Sequence, residues 1–324
     1  MYQIEQVLVP VDFSTFSRAA VSLARTLGDD KPRVHLSHVL EPWRRYTRSV
    51  LFPYAALGED DVEFEHELID TAREQLLAHL QLDPEADEDL GHFNLEFGPL
   101  GETLGAHIRN TGPDVVIMGA FGEGGARPNV LGSSAEKLLR TCTGPVVLVR
   151  DYTPRPSIDH VVVAVDLTST STEVVARALG FAMQVEASLE MVYVLPDPLS
   201  QDTNKLLAGH LDFDAAHILE RSRAKIEALF DRVANHIEVA FPKQRQAHEL
   251  LANRKVIVGD PASAIVDHAD SAGADMIVVG AHNAQSASRQ QLGRVAWTVA
   301  RTTPTHVMVV PPTKEVSLLG DDES

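Results

Sequence analysis

The feature that most limits how this chain can fold is a pattern that occurs twice: an apolar strand, a loop containing glycine, and a helix. Three positions of the first half recur 161 residues later, Gly119 as Gly280, Gly132 as Gly293 and Val146 as Val307. A spacing that stays constant over such a length indicates the duplication of a whole domain and not a short solenoid repeat. The chain has 324 residues, which is also enough for two ordinary domains.

Each half alternates short apolar segments with segments of helical spacing, which predicts a parallel sheet covered by helices on both faces. In the first half we expect strands at 7–12, 34–39, 93–97, 115–119 and 146–149, and helices at 14–28, 61–80, 100–108 and 132–141. Right-handed crossovers bring the carboxyl ends of parallel strands to one edge of the sheet. We therefore expect Asp12, Val39 and Gly119 to lie at the same edge.

The loop at residues 119–133 joins a buried strand to a helix that opens on Gly132 and two serines. Backbone N–H groups at such a helix start bind anions, phosphate above all, and Gly119 and Gly122 allow a ligand to approach the backbone closely. The same glycines could instead serve only a tight turn, so the glycines alone leave both interpretations open. The loop is not a Walker sequence, because no Gly-Lys-Ser/Thr follows, and Arg127 replaces the last glycine of a dinucleotide fingerprint.

The spacing of this loop is more specific than the number of its glycines. The loop contains Gly119, two residues, Gly122, nine residues and then Gly132-Ser133. This spacing resembles the nucleotide-binding pattern of the universal stress protein family. The strand before the loop and the segment 143–149 after its helix are similar to that family as well. The resemblance covers about residues 4–312.

The resemblance implies an α/β fold with two tandem five-stranded parallel-sheet sandwiches, Rossmann-like and similar to adenine-nucleotide alpha hydrolases. It implies one universal stress protein domain at residues 1–150, a second at 158–312, and an acidic tail at 313–324. Members of the family commonly pair their last strands, so we expect the two domains to pack as an intrachain pseudo-dimer that hides two sheet edges. Further homodimerisation stays open.

The resemblance also implies which residues hold an adenine nucleotide such as ATP. Asp12 would face the ribose and adenine, and Val39 would offer backbone contacts to adenine. The ribose and phosphates would be held by Met118, Gly119, Gly122, Gly132, Ser133 and Ser134, with Arg127 as the nearby cation. Because Arg127 is the one cation of the loop, Mg²⁺ or a nucleotide with fewer phosphates would ease the charge of the ligand.

The second half departs from this pattern at its own loop. Asn283 replaces the second glycine, and Arg294 replaces the serine at the helix start. Asparagine tolerates φ > 0, so the turn can survive, but we expect the long Arg294 side chain to crowd the phosphate end. The sequence therefore predicts one nucleotide per chain, in the first half, and a second half that is empty or holds a different ligand.

Charge and composition narrow the range of partners. The formal net charge of −18 repels nucleic acid, and we interpret the short basic cluster at Arg44, Arg45 and Arg48 as a solvated loop. No apolar run is long enough for a membrane span, and the N-terminus has no basic region of a secretory signal. The single cysteine, Cys142, is expected to be a structural thiol and fits a reducing cytoplasm, where we expect the protein.

Three functions fit these observations. The favoured one is a stress-response module that binds ATP or a related adenine nucleotide. A slow ATPase is disfavoured, because the loop contains no lysine and no general base is directed at it, and we assign no catalytic residue. The third is a scaffold, or a carrier of another ligand under the long loop at 41–58. A metal site in the cluster His210, Asp212, Asp214 and His217 is disfavoured, because its spacing matches no known ligand set.

Overall fold

The structure is a computed structural model that describes residues 3–27, 31–40, 59–122, 124–125, 130–151, 157–166, 169–196, 215–240, 245–281 and 292–312. These residues divide into two compact units. The first unit contains the described residues from 5 to 156 apart from Val130. The second unit contains those from 157 onward, together with Val130 and residues 3–4.

The first unit alternates strands and helices. Its strands are β1 (Gln6–Pro10), β2 (Arg33–Leu40), β3 (Leu90–Phe97), β4 (Val115–Gly119) and β5 (Val146–Val149). Its described helices are α1 (Thr15–Ala24), α2 (Glu59–Leu80), α3 (Leu100–Thr111) and α4 (Ser133–Thr141). Every residue of β4 and β5 is buried, as expected for β-branched strands of a parallel sheet that is covered on both faces.

The strands of the first unit pair in parallel in the order β3-β2-β1-β4-β5. In the register, Val7 lies between Val34 of β2 and Val115 of β4. The chain thus runs outward from β1 to β3, and then returns to the other side of β1. This change of direction between β1 and β4 is the topological switch point, where open α/β sheets bind their ligands.

Helix α1 begins after β1 because Ser14 caps it. The Ser14 side chain accepts a hydrogen bond from the Ser17 backbone N–H, which satisfies one of the amides that a helix start leaves without an internal partner. The buried face carries Phe16, Ala20 and Leu23. The sequence predicted that the helix would extend to Gly28, whereas it ends at Ala24 and its last turn closes through the Arg25 amide.

The second unit repeats this architecture. Its strands are β6 (His160–Val165), β7 (Ser188–Leu195), β8 (Arg254–Val258), β9 (Met276–Gly280) and β10 (His306–Val310), and its described helices are α5 (Ser169–Gln184), α6 (Ala215–Ala240), α7 (Arg245–Leu251), α8 (Pro261–Ala272) and α9 (Arg294–Thr302). The strands pair in parallel in the matching order β8-β7-β6-β9-β10.

Even the helix ends repeat between the units. Helix α3 ends at Gly112 with φ 58°, and α8 ends at Gly273 with φ 64°. Glycine adopts this left-handed conformation without the cost that a Cβ would bring. The two glycines are 161 residues apart, the same spacing as the loop glycines, so the duplication predicted from the sequence extends to details of the backbone.

Candidate functional site

The candidate site lies at the carboxyl ends of β1 and β4 in the first unit, at the switch point. Asp12 follows β1, and its Oδ1 atom accepts three hydrogen bonds: from the Ser14 amide at 3.0 Å, the Ser14 hydroxyl at 2.5 Å and the Ser17 hydroxyl at 2.6 Å. The Ser17 hydroxyl in turn accepts from the Asp12 amide at 2.9 Å. Both serines are almost completely buried, so the Asp12 carboxylate is held firmly in one orientation.

The second carboxylate oxygen of Asp12 faces the glycine loop. A Cβ atom built on Gly122 would lie 2.9 Å from Asp12 Oδ2, closer than real Cβ contacts allow. Gly122 has a backbone φ that other residues also adopt, since no positive value occurs there. The absence of a side chain at this position therefore serves the close approach of the carboxylate to the loop, and not an unusual backbone conformation.

Two further glycines hold the loop against the rest of the unit. A Cβ on Gly119 would lie 2.6 Å from Phe16 Cβ, and a Cβ on Gly132 would lie 2.9 Å from the carbonyl oxygen of Ala120. The Gly132 amide donates to that same carbonyl at 2.9 Å. The loop therefore returns to within one hydrogen bond of where it leaves β4, and a side chain at Gly132 would push the backbone apart.

Helix α4 presents its start at this edge. Its N-cap is Gly132, which has no side chain to cap the helix, so Ser133 and Ser134 are the first two helical residues and not caps. Ser133 is exposed and Ser134 is half-buried. Within the described part of the chain, neither serine hydroxyl makes a hydrogen bond. The first amides of the helix and two hydroxyls are thus available to an anion, which the helix dipole favours.

Phe121 of the loop packs against an aromatic ring and a cation. The rings of Phe16 and Phe121 lie 5.2 Å apart, and the guanidinium carbon of Arg150 lies 5.3 Å from the centre of the Phe121 ring. Burial of Arg150 lowers the pKa of its guanidinium to about 10, so it remains a cation at neutral pH. This cation beside the loop could not be predicted from the sequence, because Arg150 follows β5 and only the sheet register brings it beside Phe121.

Val39 and Met118 lie near the carboxyl ends of their strands, β2 and β4. Met118 is buried in β4, whereas Val39 is half-buried near the end of β2. The Ser37 carbonyl accepts from the Val11 amide at 2.8 Å, and the Leu40 carbonyl accepts from Gly98 on the other side at 3.1 Å. Because backbone groups alternate sides along a strand, the N–H and C=O of Val39 face the β1 side, beyond the last β1 residue that pairs.

Several predicted features lie outside the described residues. They are Arg127 of the glycine loop, the basic cluster and long loop at 41–58, Asn283, the acidic tail at 313–324, and the His210, Asp212 and Asp214 cluster; of His217 only the backbone is described. Among the described residues, no group of three or more His, Cys, Asp or Glu side chains is arranged to hold a metal ion.

The second unit keeps the framework of this edge. The Ser171 hydroxyl donates to Asp166 Oδ1 at 2.6 Å, as Ser17 does to Asp12. Gly293 has φ −59° and ψ 150°, close to the −60° and 142° of Gly132, and its amide donates to the Ala281 carbonyl at 2.6 Å. At the described ends of the two loops the backbone is therefore similar, and the difference between the units lies in the side chains at this edge.

The prediction that Arg294 crowds the phosphate end finds no support in the position of its side chain. The Arg294 side chain is 82% exposed, and its guanidinium lies 3.7 Å from the carboxylate of Asp260 at the start of α8. Both side chains of this ion pair lie at the surface. The hydrogen bond from the Ser263 amide and, among lesser causes, the charge of Arg294 lower the pKa of Asp260. Two differences between the phosphate ends of the units remain. The second unit lacks a serine hydroxyl at this position, and it has an exposed cation there.

The model of the universal stress protein family matches this chain twice, at residues 3–150 and 157–311. The chain belongs to the universal stress protein family. The prediction of a tandem member of that family with a parallel α/β fold is thereby confirmed. The two matched segments correspond to the two duplicated halves of the sequence.

The chain is similar to several individual universal stress proteins. Universal stress protein YxiE of Bacillus subtilis is 28% identical over 154 residues, which is 47% of this chain and 98% of YxiE. The crystal structure of a universal stress protein from Archaeoglobus fulgidus covers 95% of this chain and 98% of its own, with 17% identity and a TM-score of 0.61, which shows the shared fold. A universal stress protein in complex with cAMP matches 48% of this chain and 97% of its own, with 22% identity and a TM-score of 0.31.

Two remaining sequence predictions concern features away from the edge. None of the described helices is both long and apolar enough to cross a membrane. Cys142 lies at the end of α4, where its thiol donates to the Gly144 carbonyl at 3.3 Å and burial raises its pKa. A thiol with a raised pKa carries little thiolate at neutral pH, which fits a structural role.

Proposed function

We propose that this universal stress protein binds an adenine nucleotide, ATP or a relative, at the edge of the first unit. One observation carries the proposal: Asp12 Oδ2, which makes no hydrogen bond to the residues that the structure describes, faces Gly122 of the loop that leads to the start of α4. A ribose needs an acceptor for its hydroxyls and a phosphate needs donors. Here the acceptor and the donors belong to adjacent segments at a switch point.

Each part of the nucleotide has a complementary group in this arrangement. Asp12 Oδ2 accepts from a ribose hydroxyl, and the outward-facing N–H and C=O of Val39 pair with the adenine edge. Gly119 and Gly132 let the loop pack closely on α1 and β4, and Gly122 leaves room for the Asp12 carboxylate. Ser133 and Ser134 donate hydroxyl hydrogen bonds to the phosphates. Met118 is a buried residue of β4, the strand that leads into the loop. The residue roles are those that the family pattern implies.

The charge of the phosphates needs compensation, because the chain has a formal net charge of −18. The dipole of α4 and the cations Arg150 and Arg127 supply part of it. Mg²⁺ bound between the phosphates would supply more, coordinated by phosphate oxygens and water and not by a dedicated cage. We therefore expect affinity for a triphosphate to depend on Mg²⁺ more than affinity for a monophosphate does.

The geometry favours binding over turnover. Within the described part of the loop, at residues 119–122, 124–125 and 130–134, no side chain is titratable. Asp12 Oδ1 is occupied by three hydrogen bonds, and Oδ2 is assigned to the ribose, so no described group at the loop is placed to activate water at the γ-phosphate. We propose a nucleotide-dependent stress-response module of the cytoplasm, with nucleotide hydrolysis absent or slow.

We infer that the two domains differ in ligand binding. Residues 1–150 form the nucleotide-binding domain and residues 158–312 form a domain that is empty or takes a different ligand, followed by the tail at 313–324. The second domain retains Asp166 and Ser171 but has Arg294 at the first helical position. Loss of a serine hydroxyl from the phosphate site, together with the side chain that Asn283 adds where Gly122 has none, is expected to weaken binding by about ten- to hundredfold.

The test is calorimetry of ATP binding to the full chain after any bound nucleotide has been removed. Asp12→Asn keeps an acceptor for the two serines but places an amide where the ribose needs an oxygen, so ATP affinity should fall by about ten- to hundredfold. Asp166→Asn is the matched control, since it makes the same change in the second unit, and should leave the affinity unchanged. Equal affinity for wild type and Asp12→Asn would place the site elsewhere.

A further inference from the structure

We propose that Ser17, assisted by Ser14, is a positioning residue of the nucleotide site, which aims Asp12 at a ribose hydroxyl and so sets the preference for ribonucleotides. This inference rests on the function proposed above and adds a cause for its specificity. We call the pair Ser14 and Ser17 the serine clamp. Both serines donate to the Asp12 carboxylate, so the effect that we propose passes through Asp12.

The hydrogen bonds from the serine clamp to the Asp12 carboxylate all go to one oxygen, Oδ1. Oδ1 receives the Ser14 amide, the Ser14 hydroxyl and the Ser17 hydroxyl, at 3.0, 2.5 and 2.6 Å. A carboxylate has about four lone-pair sites in all, so Oδ1 has no remaining capacity for a ligand. Rotation of the carboxylate would break all three bonds, and Oδ2 is therefore kept toward Gly122.

Ser17 is the more rigid member of the clamp. Its hydroxyl donates to Asp12 Oδ1 and accepts from the Asp12 amide at 2.9 Å, so it fixes both the side chain and the backbone of that residue. Ser17 is 3% exposed and lies within α1. A group on a packed helix holds its partner more precisely than a group on a loop. Ser14 has a second duty as the cap of α1, which makes it the less informative position to change.

The second unit provides an internal comparison. Ser171 donates to Asp166 Oδ1 at 2.6 Å and accepts from the Asp166 amide at 3.2 Å, and it is 2% exposed. This copy repeats the local structural role of Ser17 in a domain that we propose does not hold ATP. Replacing Ser171 therefore measures what the loss of such a serine does to the fold alone.

The experiment measures the ratio of the dissociation constants of 2′,3′-dideoxy-ATP and ATP, both with Mg²⁺, on the full chain. Wild type should prefer ATP by about ten- to hundredfold, since only ATP offers hydroxyls to Asp12. Ser17→Ala should lower this preference by about three- to tenfold, because only the two hydrogen bonds from Ser14 then hold the carboxylate and its orientation is less fixed. Ser17→Cys should act in the same direction while filling the space, since a thiol is a weak donor. Ser171→Ala should leave the ratio unchanged.

A purely structural serine would give a different result. Ser17→Ala would then weaken both ligands equally, the ratio would stay at its wild-type value, and the inference would be overturned while the proposed function stood. If Ser17→Ala does not fold, the ratio of Ser17→Cys decides in the same way. Failure of the proposed function has its own pattern: wild type would have no preference for ATP over the dideoxy compound, and Asp12→Asn would bind as wild type does. That pattern would overturn both.

Discussion

At Gly122, a single missing side chain determines how close the carboxylate of Asp12 comes to the loop. Gly122→Ala would place a methyl group 2.9 Å from Asp12 Oδ2, so either the carboxylate or the loop must shift. We expect ATP affinity to fall by about tenfold or more, the cost of losing the hydrogen bond between carboxylate and ribose.

The same loop offers a matched control for this prediction. A Cβ on Gly124 meets nothing within 4 Å, and its φ is not positive, so Gly124→Ala adds the same methyl group without a contact. Calorimetry of both variants should find the loss only in Gly122→Ala. Equal losses would indicate that backbone freedom of the loop, and not the approach of Asp12, is what the ligand needs.

Several residues of the site could be predicted from the sequence because the motif fixes their positions. Asp12, Gly122 and Gly132 all lie at the edge where the motif placed them. Ser17 and Arg150 could not be found in this way. The function of Ser17 depends on where α1 begins, and Arg150 reaches the loop only through the register of β4 and β5, in which Gly119 pairs with Val149.

At the scale of elements, the pattern of apolar residues predicted most strands to within a few residues. β5 was predicted with the bounds it has, and β4 likewise. β3 was predicted to begin at Phe93 but begins at Leu90, since its first residues include Gly91 and His92, which carry no strand signal. Pairing with β2 brings them into the sheet, since Leu90 pairs with Val34 and Phe93 pairs with Leu36. The His92 amide between them donates to His35 Nδ1 at 3.1 Å.

His35 makes the pairing of β2 and β3 sensitive to pH. Its Nε2 lies 2.7 Å from Gln6 Oε1 while Nδ1 accepts from the His92 amide, so the neutral ring satisfies both neighbours. Burial, and then the charges of His92, Arg33 and His107, lower the pKa of His35. A lowered pKa means that the stabilising contribution is complete above about pH 6.5, the ordinary value, and is lost as the pH falls through the folded-state value.

We therefore expect β3 to exchange its amide hydrogens faster in mild acid. Protonation of His35 places a hydrogen on Nδ1 and breaks the bond to the His92 amide. Hydrogen exchange of residues 90–97 at about pH 7 and about pH 5, corrected for intrinsic rates, measures this effect. His35→Gln, which cannot titrate, should abolish the difference between the two pH values. A difference that persists in His35→Gln would assign the sensitivity to another group.

At the scale of the whole molecule, the duplication is the property that the sequence predicted most completely. A constant spacing of 161 residues late in each half indicated two domains, and the family model matches two segments of nearly equal length. The pairing of the last strands of the two domains stays a prediction. The arrangement of Arg294 could not be predicted, because its ion pair with Asp260 joins residues far apart in the sequence.

The two units have similar backbones but different side chains at the candidate site. How many ATP molecules one chain binds is therefore the most direct test of the proposed function. Equilibrium dialysis of the full chain, freed of bound nucleotide and titrated with ATP and Mg²⁺, counts the sites directly. We predict one ATP per chain, a value that Asp166→Asn leaves unchanged and that Asp12→Asn abolishes at the same ligand concentration. Two ATP per chain, or one that is lost in Asp166→Asn and kept in Asp12→Asn, would contradict the assignment of the site to the first unit.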